Sequence, residues 1–232
     1  AQEMAGIMPE FADFTFAEKL YMGLANVERI FIAELDPVYC VVAAVLVLLV
    51  YRKTGDYRKT LLAGIPALLL FGQAVVRVSH PSLKKVFVRP EQTTHWDWHA
   101  LVTYMPLVFL VLSVWGILYA LWQLADGVWK HYLWTAFLLA GGFAMGVVMG
   151  FSPTIYASAN RPYLYLYFVL IYVCADAVWN MGGMKAVWKT GSSDAVRKMP
   201  VPEKLMFTVL GLLVLANILD VTRMCWLLGR IL

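Results

Sequence analysis

The sequence predicts an all-α membrane protein, a polytopic bundle of about six spanning helices preceded by an amphipathic interfacial helix. Three observations predict it. Hydrophobic residues make up 61% of the 232 and charged residues only 15%, against about 45–50% and about 25% in average soluble domains. The mean hydropathy of +0.69 is spread along the chain, in apolar runs of the roughly 20 residues needed to cross about 30 Å of hydrocarbon. Residues 15–35 alone carry the four-and-three spacing of a one-sided helix. Such a composition excludes a disordered chain and a coiled coil, and three cysteines exclude a disulfide scaffold.

In residues 15–35, Phe16, Leu20, Leu24, Val27, Phe31 and Leu35 share one face, with Glu18, Lys19, Glu28 and Arg29 opposite. Thr15 and Glu18 make a capping box, and Asp36-Pro37 stops the helix. A helix of this kind lies in the membrane interface or packs across a bundle; it does not span. Spans are expected near 37–51, 60–79, 100–123, 131–151, 162–183 and 204–231, with longer loops at 80–99 and 184–203. Two regions result, an N-terminal segment 1–36 and a single bundle domain 37–232. Pro66 and Pro106 are the points where a span would kink.

Cys40, Cys174 and Cys225 lie in apolar runs without CxxC spacing and read as small core residues. The opening AQEMAGIMPE has neither an initiator Met nor a signal-peptide pattern. It suits a mature form after cleavage or the C-terminal portion of a longer polypeptide.

Basic residues set the expected orientation. Arg52, Lys53, Arg58 and Lys59 lie in one loop, Lys130 in the next on that side, and Lys185, Lys189, Arg197, Lys198 and Lys204 in a third. The alternate loops hold Lys84, Lys85 and Arg89, then Arg161. The bias places the first set in the cytoplasm of a bacterial inner membrane, with both termini and loops 80–99 and 152–161 outside.

Charges inside spans are costly and face a cavity or a partner. At about 1.5 Å of rise per residue, Arg77, Asp220 and Arg223 fall about 24–28 Å from their cytoplasmic starts, in the outer part of the membrane. Gln73 and Asn217 lie just below them, His80 and Arg161 just above. Asp176 falls some 21 Å inward from an outer start, so with Asn180 it forms a separate polar contact on the cytoplasmic side.

Two accounts fit the outer cluster. In one, Asp220 and Arg223 neutralise each other at i,i+3 while Arg77 snorkels to headgroups. In the other, Arg77, Arg161 and Arg223 line an outward-facing pocket for an anionic group, since a guanidinium fork stays charged when desolvated and matches phosphate. The loop FSPTIYASANRP, residues 151–162, adds Ser152, Tyr156, Asn160 and Arg161, groups that can bond and stack on a sugar or headgroup. The substrate-binding candidates are therefore Ser152, Tyr156, Asn160, Arg161, Arg77, Arg223 and Asp220. An ordinary polar turn, with Tyr163, Tyr165 and Tyr167 as interfacial anchors, is the rival reading.

His95-Trp-Asp97-Trp-His99 has metal-ligand residue types, with His80 in the same loop, but spacing fixes no fourth ligand. No metal or cofactor is assigned. Gly142, Gly146 and Gly150 form a small-residue seam for close packing against an internal neighbour or a second chain. There is no Walker A loop, GxSxG or HExxH. No His pair sits at mid-span for haem, and nothing points to nucleic acid.

The Ser152-Pro153…Arg161 loop between two late spans, and the amphipathic stretch 15–35 before a span, resemble the C-terminal half of bacterial GT-C-type glycosyltransferases. The group includes O-antigen glucosyltransferases and protein mannosyltransferases, and the resemblance covers residues 15–183. It implies sugar transfer from a polyprenyl-phosphate donor at the outer face, with Arg161 on the donor phosphate. Members carry their catalytic acid in a first outer loop of the N-terminal half, which this sequence lacks. The resemblance therefore implies a half-enzyme or a subunit beside a partner membrane chain, in contact with membrane lipids. The alternatives are a non-catalytic assembly, channel or transporter subunit, and an outward-facing metal or redox protein built on His95, Asp97 and His99.

Overall fold

The computed structural model describes residues 9–79, 101–125, 127–152 and 163–180. All regular structure among them is helical. A 3-10 turn, Pro9–Asp13, leads into α1, Phe16–Glu28, which continues as a π-helical stretch, Arg29–Ala33. Then come α2, Pro37–Thr54; α3, Tyr57–Ala63; α4, Ile65–Ser79; α5, Leu101–Leu124; α6, Trp129–Val148; and α7, Leu164–Asn180. A 3-10 turn, Met149–Phe151, closes α6.

Local chemistry explains these boundaries. Thr15 and Glu18 close the expected capping box, with the Glu18 carboxylate accepting from the Thr15 backbone N–H at 2.7 Å. Asp36 caps α2 by accepting from the Tyr39 N–H at 2.9 Å, and Pro37 takes the first helical position. Leu35 bridges α1 and α2 at φ 59°, a left-handed turn that costs a side-chain-bearing residue about 1–2 kcal/mol. At the other end of α2, Gly55 takes φ 60° without that penalty.

Among the described residues, three helices, Pro37–Thr54, Thr103–Leu124 and Trp129–Phe151, are long and apolar enough to cross a membrane. A fourth joins them if the pair Tyr57–Ala63 and Ile65–Val76 is one span, and that pair is bent by 62°. The segment expected as the second span, 60–79, is thus divided at the Gly64 break, close to the kink expected at Pro66. Pro66 offers no N–H and its ring crowds the carbonyl of Leu62, while Gly64 caps the first piece through the carbonyls of Thr60 and Leu61. Pro106 does not break α5. The apolar α7 is shorter, at 17 residues, and the expected sixth span, 204–231, lies outside the described residues.

Side-chain contacts fix the directions of the helices. The Lys53 ammonium donates to the Leu124 carbonyl at 2.8 Å, joining the C-terminal ends of α2 and α5. The Tyr167 hydroxyl donates to Asp36 at 2.7 Å, joining the N-terminal ends of α2 and α7. His131 near the start of α6 meets Asp176 near the end of α7. Hence α2, α5 and α7 run one way and α6 the other. The core between them is aliphatic, centred on Val42, Leu46, Ile117, Leu166, Leu170 and Val173. Large apolar side chains such as Phe71, Val111, Phe137 and Phe168 point outward, the pattern of helices that face lipid.

Helix α1 does not rest loosely on the bundle. Tyr21 donates to the Thr103 carbonyl at 2.8 Å, and α1 packs against the end of α6 and the start of α5. The glycine seam makes this approach possible. A Cβ on Gly150 would fall within 3.0 Å of the Lys19 carbonyl and the Gly23 backbone, and one on Gly23 would strike the Val147 backbone. Gly146 faces Val27 and Tyr163, and Gly142 faces Leu166 and Val169. The seam therefore serves internal neighbours, backbone to backbone where α1 crosses.

Candidate functional site

Polar side chains gather at two opposite ends of the bundle. At the α1 end, helix α4 finishes with Arg77 in its last turn, α6 finishes beside Ser152, and α7 begins beside Tyr163. The sequence-chosen candidates thus meet the described structure at two points. Ser152 is half-buried in extended backbone after α6, its N–H donating to the Met149 carbonyl at 3.0 Å. Arg77 is placed by its backbone in α4. Tyr156, Asn160, Arg161, Asp220 and Arg223 lie outside the described residues, as do His80, His95, Asp97 and His99. Among the described residues, no group of three or more His, Cys, Asp and Glu side chains converges as a metal site.

The same end carries polar residues that the sequence alone did not single out. Helical periodicity set Glu28 on the polar face of α1, yet Glu28 is only 2% exposed. From Asn26 onward, burial wraps nearly the whole of α1 because it is pinned between α5 and α6 and runs into a buried π-helical stretch. Burial without a compensating donor favours the neutral acid and pushes the Glu28 carboxyl up to about 8. Asn26 donates its amide N–H to the Tyr163 hydroxyl, while its Oδ1 has no partner among the described residues. Arg29 lies 3.8 Å from Glu34 across the π-helical turn.

Asp36 is a second acid at this end. It accepts from the Tyr39 N–H and from the Tyr167 hydroxyl. Burial holds its carboxyl above the ordinary range, against the opposing pull of the Tyr167, Tyr39 and Val38 donors. Phe31 packs against Tyr39, Tyr163 and Tyr167. Two of these rings, Tyr39 and Tyr167, belong to the residues that donate to Asp36.

The opposite end holds the contact expected of Asp176 and Asn180. Asn180 donates to Asp176 Oδ1 at 3.1 Å, the i,i+4 spacing of one helical face. His131 joins them from α6. Its Nε2 lies 2.8 Å from Asp176 Oδ2 and 3.0 Å from the Asn180 amide. The sequence alone did not single out this third member, although the first turn of the fourth expected span and the last turn of the fifth lie at the same end. A small pocket opens beside the three side chains, walled by Leu121, Tyr132 and Thr135.

Taken together, the described residues are all-helical in their regular structure, with three or four helices fit to cross a membrane and a distinct polar centre at each end. The chain matches no protein-family model, no curated protein and no solved structure.

Proposed function

We propose that this is a multi-pass protein of the bacterial inner membrane. In this reading its outward face binds an anionic, lipid-linked substrate and serves glycosyl transfer from a polyprenyl-phosphate donor. The observation that carries the reading is topological. The last turn of α4 with Arg77, the Ser152 end of α6 and the Tyr163 start of α7 belong to one end of the bundle. In the sequence, Tyr156, Asn160 and Arg161 fall between Ser152 and Tyr163, the two described residues at that end. Charge distribution supports the outward assignment, since Arg52, Lys53, Arg58, Lys59 and Lys130 belong to the other end. Arginine forks on two or three elements suit a phosphate that must be held at the hydrocarbon boundary.

Native mass spectrometry of the protein released from nanodiscs tests the proposal. The wild type is expected to carry a mass matching a polyprenyl phosphate, and Arg77, Arg161 and Arg223 changed together to Gln should abolish it. A bare 26.2 kDa chain with only bulk phospholipid would overturn the proposal and direct attention to a transport or scaffolding role. A companion chain carrying acidic outer-loop residues would strengthen it.

A further inference from the structure

We propose that the end of the bundle opposite α1 binds anionic phospholipid headgroups through α3 and the aromatic corner of α5 and α6. The bend between α3 and α4 points there. Helix α4, at 15 residues, is about 22 Å long and falls short of the roughly 30 Å of hydrocarbon. The 7 residues of α3 add about 10 Å, but at the 62° bend only about 5 Å of it runs along α4. The sideways travel is about 9 Å, so α3 lies along the interface more than it lengthens the span.

Its side chains fit that position. Tyr57 and Leu61, one turn apart, are 74% and 45% exposed, and Arg58 and Lys59 are exposed beside them. Ala63 is buried where α3 packs against α2 and α5. Apolar side chains that reach the acyl boundary beside basic groups are the pattern of an interfacial helix. A second patch continues the rim. Trp122 near the end of α5 meets Trp129 and Tyr132 from the start of α6 edge to face. Trp129 is 54% exposed and Lys130 is exposed next to it. The Lys53 bond to the Leu124 carbonyl sets both patches at the same end.

Charge names the occupant. Segments 51–62 and 122–132 together hold five Lys and Arg against two Asp. Asp56 is engaged as the α3 cap, accepting from the Arg58 backbone N–H at 2.9 Å, and Asp176 is bonded to His131 and Asn180. The excess of positive charge favours an anionic headgroup over a zwitterionic one, and indole and phenol rings settle at headgroup depth. Only membrane insertion is required for this binding, whatever substrate the outward face takes.

The test uses the full chain in detergent, equilibrated with equal amounts of phosphatidylglycerol and phosphatidylcholine. Lipid retained after gel filtration is identified and counted by mass spectrometry. Phosphatidylglycerol is expected in about fivefold excess, and Arg58→Gln, Lys59→Gln and Lys130→Gln together should bring the two lipids toward parity. Photoactivatable phosphatidylglycerol gives a readout that does not depend on any variant folding. In the unaltered chain it should attach to peptides that hold Tyr57 or Trp129. Equal retention of the two lipids by the unaltered chain would overturn the proposal and direct the basic rim to an acidic partner chain. So would a preference that survives the triple variant; its loss on changing Arg77, Arg161 and Arg223 to Gln would move the headgroups to the α1 end.

Discussion

The two ends of the bundle solve the same problem, polar groups on apolar helices, in opposite ways. At the α1 end, Glu28 and Asn26 are sealed in, 2% and 1% exposed, on the helix that is itself pressed backbone to backbone on the end of α6. There the carboxyl of Glu28 stays neutral because nothing described stabilises its charge. At the opposite end, Asp176 is open to solvent at one edge and has both oxygens bonded, one to His131 and one to Asn180. Enclosure without partners favours the neutral form of a carboxyl.

That contrast is sharpened most by titration. Folded Glu28 keeps its proton to about pH 8, whereas the unfolded chain releases it near 4.5. Between those values the native state binds more protons, so its contribution is complete below about 4.5 and is lost as pH rises toward 8. Across the window the loss reaches about 5 kcal/mol. Unfolding in mixed detergent, followed from pH 4 to 9, should show this decline. Glu28→Gln should flatten it, and an unchanged slope in the variant would mean that Glu28 is not sealed.

Tight contact at the α1 end is the second point of attack. Gly23→Ala drives a methyl group into the Val147 backbone and should cost about 3 kcal/mol, since backbone cannot move aside as a flexible side chain can. Gly141→Ala, one residue before the seam and with open space around its position, should cost nothing or stabilise by about 0.5–1 kcal/mol. Equal midpoints for the two variants in thermal unfolding would contradict the crossing of α1 over α6.

Asp36→Ala removes both the α2 cap and the Tyr167 bond and should cost about 2 kcal/mol. Tyr167→Phe alone should cost about 1 kcal/mol, the double variant costing less than the two separately. The smallest effect is expected at Thr15→Ala, which opens an exposed capping box and should lose about 0.5–1 kcal/mol. A larger loss would show that the start of α1 carries more than its own helix.

Much of this architecture was legible in the residues because it rests on local rules. The Thr15–Glu18 box, the Asp36-Pro37 junction, the apolar runs expected at 37–51 and 131–151, and the Asp176–Asn180 pair all follow from spacing. The break at Gly64 was legible only as a place where Pro66 would bend a span. Burial of Glu28 was not legible, because periodicity distinguishes two faces of a helix and cannot show that neighbours cover both. His131 was within reach of depth arithmetic, which pairs span starts with span ends, but a lone His beside Lys130 looks like an interfacial residue. The glycine seam announced close packing without naming its partner. The partner is α1, and two glycines, Gly23 and Gly150, meet where it crosses.

The central claim is that the α1 end faces outward and the His131 end faces the cytoplasm. It is tested most directly by thiol labelling of intact cells, in a chain with Cys40, Cys174 and Cys225 changed to Ala. A cysteine introduced at the exposed Ala12 should react with a membrane-impermeant maleimide. One introduced at the exposed Arg58 should react only after the cells are opened. Labelling of Arg58→Cys but not Ala12→Cys in intact cells would invert the molecule and contradict the outward-facing substrate site.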